Sequence, residues 1–390
     1  MKKIIFVVIN MNVGGTEKAL LNLVNEFPRK KYEITIFMLE KYGGFLKYIP
    51  QEVNIHYFSD YYSIKDLLNN PPRYTFIDLL KKGKIFRAFM IIILHIITKV
   101  LKDRSLYFKY LLRKYPTLNE EYDIAVAYDG PMDFISYFVL KKVKARKKLQ
   151  WIHFDVSKIG FNLRFTSKIY SKFDRVFVVS NEAKTKLLKY LPNLKGKTEV
   201  LFNIISPLTI KKQSTMGLGF TDNFEGLRIL TVGRLSKEKG QDLIVPVLAR
   251  LIQEGHKVRW YCLGDGNLKH DLENLIKDYK LEDHFILLGS DPNPYPYINQ
   301  CDIYVQPSRH EGFCITLAEA RCLRKPIVTT NFTGAKEQIS NEVNGLIVDV
   351  SENCIYEGLL KLLENKDLRK TFSQNLLQQD FDNENEIKNY

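Results

Sequence analysis

Two carboxylates eight residues apart, Glu311 and Glu319, lie in the stretch Ser308-Arg309-His310-Glu311-Gly312-Phe313-Cys314-Ile315-Thr316-Leu317-Ala318-Glu319-Ala320. This stretch follows a short apolar run at 303–306 and reads as a strand end that opens a helix. A helix amino terminus at the carboxyl end of a strand offers unpaired N–H groups and positive dipole potential. The amides of Phe313, Cys314 and Ile315, just past Gly312, are thus placed to meet an anion such as a diphosphate. Eight residues at about 100° each turn a helix about 80° past two full turns, so the two acids can flank one cleft at different depths. Carboxylates so placed accept hydrogen bonds from the hydroxyls of a sugar or a ribose. On spacing alone, a loop acid followed by a solvated helix acid is the ordinary alternative.

Further residues of this kind follow other strands. Gly233-Arg234-Leu235-Ser236-Lys237-Glu238-Lys239-Gly240 puts cations between glycines after the run at 227–232, and Gly264-Asp265-Gly266 follows the run at 257–263. Gly14 and Gly15 come after the first apolar run, where missing side chains would let the backbone approach a phosphate or an acceptor closely; a plain tight turn is the alternative. Trp151-Ile152-His153-Phe154-Asp155 ends another strand. His153 could hydrogen-bond a sugar hydroxyl or be structural, and Asp155 could assist it or cap the next turn.

The elements that must hold these residues are short apolar runs alternating with helical stretches. In the first half they are 3–9, 34–39, 54–58, 123–128, 148–153, 175–180 and 199–203. In the second they are 227–232, 257–263, 284–289, 303–306, 326–329 and 345–348. Near-continuous apolar strands separated by helices predict parallel sheets covered on both faces, hence an α/β chain of two doubly wound, Rossmann-like domains. The periodicity breaks over 205–226, which sets the domains at 1–205 and 206–373. Residues 374–390 are a polar tail, expected as a helix packing back on the first domain.

Charge is unevenly spread over the 390 residues: 1–200 carry 36 Lys and Arg against 18 Asp and Glu, while 201–390 carry 22 against 26, for a net +14. The basic half should meet something anionic: nucleic acid, a membrane, or a phosphorylated acceptor. Residues 81–114 hold ten Lys and Arg and one acid, Asp103, around the apolar run 88–98. That run falls short of the ~20 residues that span a bilayer. It reads as an interfacial helix with basic flanks near anionic headgroups, with a core helix as the alternative. The apolar residues 4–9 lead to no small-residue cleavage site and read as a buried strand, not a signal peptide. Five scattered cysteines without a Cys-x-x-Cys pair suit a reducing cytoplasm.

The Glu311/Glu319 pair resembles the Glu-x7-Glu signature of retaining glycosyltransferases of family 4 (glycosyl transferases group 1), of the surface or capsular polysaccharide type. Gly233–Gly240 resembles that family's Gly-Arg-x-x-x-x-Lys-Gly element, Gly264-Asp265-Gly266 its Gly-x-Gly turn, and Gly14-Gly15-Thr16-Glu17 its Gly-Gly-x-Glu loop. The resemblance runs in order along nearly the whole chain. It implies two facing Rossmann-like domains (GT-B), with an acceptor-binding first domain and a donor-binding second. By this resemblance Arg234 and Lys239 would neutralise the departing diphosphate, Glu319 hold the ribose, Glu311 hold the transferred sugar, and His153 approach that sugar. Asn203 matches a recurrent family asparagine near the domain junction. Cys314 and Arg324 depart from the pattern, where glycine or another small residue is frequent.

The implied activity is retaining, metal-independent hexosyl or N-acetylhexosaminyl transfer, without a cofactor, from a nucleotide sugar, UDP-linked by family analogy, to a lipid-linked or polysaccharide acceptor. The chain would work in the cytoplasm, peripherally associated with the inner membrane face; no feature reports its oligomeric state. No Asp-x-Asp metal motif accompanies the site, since Asp380-Phe381-Asp382 falls in the polar tail. A nucleotide-sugar epimerase can share the same two-domain architecture and would be told apart by its products without acceptor. Nucleic-acid binding is suggested by charge alone, and no helix-turn-helix, zinc module or RNP-like strand supports it.

Overall fold

All the expected strands form in the computed structural model, which describes residues 1–158 and 162–377. In chain order the first elements are β1 (Lys2–Val8), α1 (Gly15–Glu26), β2 (Tyr32–Met38), β3 (Asn54–Tyr57) and α2 (Tyr62–Asn69). Three helices fill the basic segment and its approach: α3 (Pro72–Lys81), α4 (Ile85–Leu101) and α5 (Ser105–Leu111). Then come β4 (Glu121–Gly130), α6 (Asp133–Lys142), β5 (Lys144–Ile152), α7 (Leu163–Tyr170), β6 (Arg175–Val178), α8 (Asn181–Tyr190) and β7 (Thr198–Val200). The later elements are α9 (Pro207–Gln213), β8 (Leu227–Val232), α10 (Gln241–Gln253), β9 (Val258–Leu263), α11 (Lys269–Asp278), β10 (Phe285–Gly289) and α12 (Tyr295–Gln300). The last are β11 (Ile303–Gln306), α13 (Ile315–Cys322), β12 (Ile327–Thr330), α14 (Ala335–Gln338), β13 (Leu346–Val348), α15 (Glu352–Glu364) and α16 (Lys366–Leu377).

By its contacts the chain divides into two units, one of residues 1–12 and 27–201, the other of 13–26 with everything from 202 onward. The division falls at 201/202 where the sequence pattern suggested 205/206, and it groups α1 with the second unit. Asn22 Nδ2 on α1 donates to the Ile204 carbonyl at 2.9 Å, and Lys18 Nζ lies 5.1 Å from the Tyr295 ring centre, which explains that grouping. A linear pattern of apolar residues does not report which sheet a helix will accompany.

The first unit is built on a seven-stranded parallel sheet of order β3-β2-β1-β4-β5-β6-β7. Its central strands are buried on both faces, as Ile4 through Val8 and Ala125 through Tyr128 show. Each such Ile, Val or Leu contributes about 1.5–3 kcal/mol by leaving water. In the basic segment, Ala88, Ile91 and Leu94 of α4 join this core beside Tyr107, Phe108 and Leu111 of α5. The core-helix alternative is therefore realised along one stripe of α4. Among the described residues no helix is long and apolar enough to cross a membrane.

The second unit has a six-stranded parallel sheet of order β10-β9-β8-β11-β12-β13 and its own core around Trp260, Leu248 and Phe372. Within the expected break at 205–226 lies α9, capped by Ser206 and carrying Pro207 at its first position. A capping serine followed by proline is a helix start, so a helix begins where the strand–helix periodicity was expected to break. The stretch after α9 is tied to the sheet by Asp222, which accepts from Arg228 and Arg259 at 2.9 Å each and from the Tyr261 hydroxyl. Helix α16 runs through residue 374, where the tail was expected to begin. The predicted packing of that tail and the Asp380-Phe381-Asp382 triplet lie outside the described residues.

Candidate active site

In both sheets the strand order reverses once, between β1 and β4 and between β8 and β11. Loops leaving the carboxyl ends of two such strands diverge, and the crevice between them is where doubly wound sheets bind ligands. In the second unit these two loops are 233–240, leaving β8, and 307–315, leaving β11. They carry the cations and acids singled out in the sequence.

The two loops meet backbone to backbone. Gly240 has φ +74°, and a Cβ built on it would lie 2.1 Å from the Pro307 carbonyl oxygen, so only glycine fits there. Gly264, leaving β9 at φ +155°, would likewise put a Cβ 2.0 Å from the Gly233 carbonyl oxygen. Arg309 clamps the arrangement: its guanidinium grips Asp242 at 2.6 and 2.8 Å, and its amide donates to the Glu238 carbonyl at 2.8 Å. Asp242 also takes Lys237 at 2.8 Å.

Within this frame Lys239 Nζ donates to Glu311 Oε1 at 2.6 Å, with side chains 22% and 9% exposed. Burial alone would lower the Lys239 pKa; the carboxylate of Glu311 more than offsets it and raises it. The same Glu311 oxygen accepts from Ser308 Oγ at 2.7 Å. Behind Ser308 runs a relay: Gln306 Nε2 donates to Ser308 Oγ at 2.8 Å, and the Tyr304 hydroxyl donates to Gln306 Oε1 at 2.7 Å. Glu311 is thus held by one oxygen, and among the described residues its Oε2 accepts no hydrogen bond. A sugar hydroxyl could take that place.

Cys314 is the residue before α13 and has φ +68°, the left-handed region that glycine tolerates best. This is the physical reason for a small residue at that position. Arg324, just past α13, shares the feature at φ +56°. Burial pushes the Cys314 thiol up to about 12, with Glu311 adding to the shift, so the sulfur is a neutral thiol. The first amides of a helix lack intrahelical partners, and those of Phe313, Cys314 and Ile315 lie at this one. Phe313 is fixed by the Phe202 ring, 6.2 Å between centres, and by the Gln338 side-chain amide on its carbonyl.

Glu319 is buried on α13, and its Oε1 accepts from the Tyr295 hydroxyl at 2.8 Å. Burial raises its pKa against the pull of Lys18 and of the Tyr295 hydroxyl. Burial in turn lowers that of Lys18, against Glu319. This is a desolvated group held by one oxygen, and Oε2 accepts no hydrogen bond among the described residues.

The Gly-Gly loop belongs with the same unit. A Cβ added to Gly14 would meet Glu17 Oε2 at 2.5 Å and Arg234 Nη2 at 3.6 Å, so the glycine makes room for these two groups; nothing crowds Gly15. Burial raises the Glu17 pKa, while its own amide and Arg234 lower it. Gly14 therefore sits beside Arg234 in the second unit, where the sequence pattern placed it in the first domain. Asn203 is buried in the second unit, with Oδ1 unpartnered among the described residues.

His153 and Asp155 belong to the first unit, at the carboxyl end of β5. The His153 ring stacks on Trp151, with centres 5.8 Å apart, and lies 4.4 Å from the Tyr128 ring. Burial pushes its pKa down to about 3, so the imidazole is neutral, and Nε2 has no partner among the described residues. Asp155 accepts from Ser157 N and Oγ at 2.8 and 2.6 Å and pairs with Lys186 at 2.9 Å. Of its two expected roles it fills the capping one. The residues that sequence reasoning missed are Tyr295, Lys18, Gln306 and the Arg309–Asp242 clamp. Lys18 directly follows the Gly-Gly-x-Glu element; Tyr295 carried no local signal.

Residues 223–379 match the family described as Glycosyl transferases group 1. Over 208 residues the chain is 34% identical to the N-acetylgalactosamine-N,N'-diacetylbacillosaminyl-diphospho-undecaprenol 4-alpha-N-acetylgalactosaminyltransferase of Campylobacter jejuni, covering 53% of this chain and 55% of that one. An uncharacterized glycosyltransferase of Haemophilus influenzae is 24% identical over 94% of this chain and 92% of its own. The first curated relatives are matched over only 53% to 64% of their own length. Among solved structures, Anabaena HepE in complex with UDP and glucose superposes with a TM-score of 0.70 at 20% identity, covering all of this chain and 98% of that one. The fold is that of two Rossmann-like domains, as in GT-B proteins, and the second unit is similar to the glycosyl transferases group 1 family over residues 223–379.

Proposed function

We propose that the chain is a retaining glycosyltransferase that moves a hexose or N-acetylhexosamine from a UDP-sugar to a lipid-linked glycan at the cytoplasmic face of the membrane. The observation that carries the reading is the Lys239–Glu311 contact at 2.6 Å, made by loops leaving the two strands at the switch point of the sheet. Such a site offers cations and a helix amino terminus to a diphosphate and half-satisfied carboxylates to hydroxyls. UDP is supported by the complexed HepE structure, and a diphospho-lipid acceptor with α-linkage by the name of the C. jejuni relative.

In the proposed reaction the bond between the anomeric carbon and the diphosphate oxygen breaks, and the diphosphate leaves with the electron pair. Arg234, Lys239 and the amides of 313–315 stabilise the charge that develops on it, which needs no metal ion. Glu319 orients the ribose through Oε2, and Glu311 orients the sugar. The acceptor hydroxyl attacks the oxocarbenium-like carbon from the face the diphosphate leaves, and its proton passes to a diphosphate oxygen. His153, being neutral, serves as a hydrogen-bonding group and not as a proton carrier.

Incubating the purified chain with a panel of radiolabelled nucleotide sugars and a polyprenyl-diphosphate-linked glycan tests the reading. Transfer of label to the lipid fraction, lost in Arg234→Ala and Glu311→Ala, is the expected result. Transfer that survives both substitutions would refute the site, and isomerised sugar without transfer would show an epimerase.

A further inference from the structure

Helix α4 is apolar on two opposite sides. Ala88, Ile91 and Leu94 are buried in the core, whereas Phe86 (78% exposed), Phe89 (55%), Ile93 (49%), Ile96 (58%) and Val100 (74%) face outward. At about 100° per residue these five fall within about 80° of arc, and the centre of that arc lies about 180° from the buried stripe. Helix α3 widens the face with Tyr74 and Ile77, 71% and 51% exposed and one turn apart. The edge-on contact of Phe76 with Phe89, 5.5 Å between ring centres, holds the helices side by side. Contiguous exposed apolar surface of this kind marks a place where something else docks.

The charges around the face decide what docks. Lys81, Lys82 and Lys84 gather at the α3–α4 turn, where Gly83 has φ +68°, and Lys99 and Lys102 stand at the other end of α4. The acids of this region are already engaged, Asp78 by Lys82 at 2.6 Å and Asp103 by Lys168 at 2.7 Å. A second copy of the chain on the same face would set lysines against lysines. An anionic headgroup layer would meet them with opposite charge while the apolar stripe enters the acyl boundary. The stripe from Phe86 to Val100 is about 21 Å long, too short to cross a bilayer but suited to lying along one.

We infer that the outward face of α3 and α4 is a membrane-docking surface whose partner is an anionic lipid bilayer. The surface rests on the membrane-borne acceptor proposed above for its purpose: it would hold the chain where that acceptor lies.

The test is co-sedimentation of the full chain with vesicles of phosphatidylcholine alone or mixed with phosphatidylglycerol. The wild type should partition onto the anionic vesicles, and added salt should weaken it. Phe89→Ser combined with Ile93→Ser should lower the partition coefficient at least about tenfold. Lys81→Gln, Lys82→Gln and Lys84→Gln together should lower it at least about tenfold on anionic vesicles and leave neutral vesicles unaffected. An unchanged melting temperature shows that the variants fold. Equal partition of wild type and the Phe89/Ile93 variant would overturn the inference. So would a wild-type dimer in analytical ultracentrifugation that the Phe89/Ile93 variant converts to monomer. UDP-sugar hydrolysis, or transfer to a water-soluble acceptor, separates this outcome from failure of the proposed function. Vesicle binding without any use of nucleotide sugar would refute the enzyme reading and leave the surface standing.

Discussion

Replacing Glu311 by glutamine should make UDP bind more tightly while slowing transfer. Glu311 is the counter-ion of Lys239, at 2.6 Å, and a bound diphosphate must compete with it for the ammonium. Glutamine keeps the shape and an oxygen for Ser308 but removes the competing charge. A hydrogen bond between charged groups is worth about 1.5–3 kcal/mol net. Because the Lys239 side chain is 22% exposed, solvent screening trims this to about 1–2 kcal/mol. UDP affinity should therefore rise about 5- to 30-fold in Glu311→Gln, as read by isothermal titration calorimetry at fixed ionic strength. Transfer should fall at least about tenfold, since the sugar loses the carboxylate that orients it. Unchanged or weaker UDP binding in the variant would refute the idea that Lys239 serves the diphosphate.

Other expectations concern the second carboxylate, the histidine and the fold. Tyr295→Phe frees Glu319 of its hydroxyl partner, so KM for the donor should rise by about threefold to tenfold with kcat little changed; a fall in kcat alone would assign Tyr295 to another task. His153, pushed down to about 3, should show neutral imidazole signals in NMR spectra down to pH 5. Because the unfolded chain binds a proton there below about 6.5, this residue's contribution to stability is complete above that pH and falls by about 1.4 kcal/mol at pH 5.5; titration between pH 6 and 7 in the folded protein would contradict the reasoning. Burial would raise the Asp222 pKa, yet Tyr261, Arg228 and Arg259 hold it down to about 2. Its stabilisation is present above the unfolded value near 3.8 and disappears as pH falls through about 2. Asp222→Asn should thus cost about 1–2 kcal/mol at pH 7, after allowing for solvent access, and progressively less toward pH 3 in denaturant unfolding. A gap independent of pH would show that the carboxylate charge is not what ties this stretch to the sheet.

What the sequence made legible was whatever one segment determines by itself. The apolar runs marked the central strands because a parallel strand covered on both faces is apolar almost throughout, as Ile4 to Val8 and Ile303 to Val305 are. Gly240 and Gly264 stood out because their backbones admit no side chain, and Glu311 and Glu319 because both belong to one strand–loop–helix stretch. What stayed hidden depends on partners far away in the chain. Tyr295 reaches Glu319 across 24 residues, and Arg309 reaches Asp242 across 67. The membership of α1 was hidden for the same reason, since Asn22 meets Ile204 across 182 residues. Asp155 was ambiguous because a strand-end acid serves a cap as readily as a catalyst, and only Ser157 and Lys186 decide between them. The outward stripe of α4 is spaced so regularly that its residues resemble a core helix, until burial shows that one stripe is inside and its opposite is not.

The most direct test of the site is a crystal structure of the chain with UDP bound. The diphosphate oxygens should lie within hydrogen-bonding distance of Arg234, Lys239 and the amides at 313–315, with the ribose hydroxyls on Glu319. UDP bound elsewhere, with Lys239 and Glu311 still paired and Glu319 still holding only Tyr295, would contradict the account.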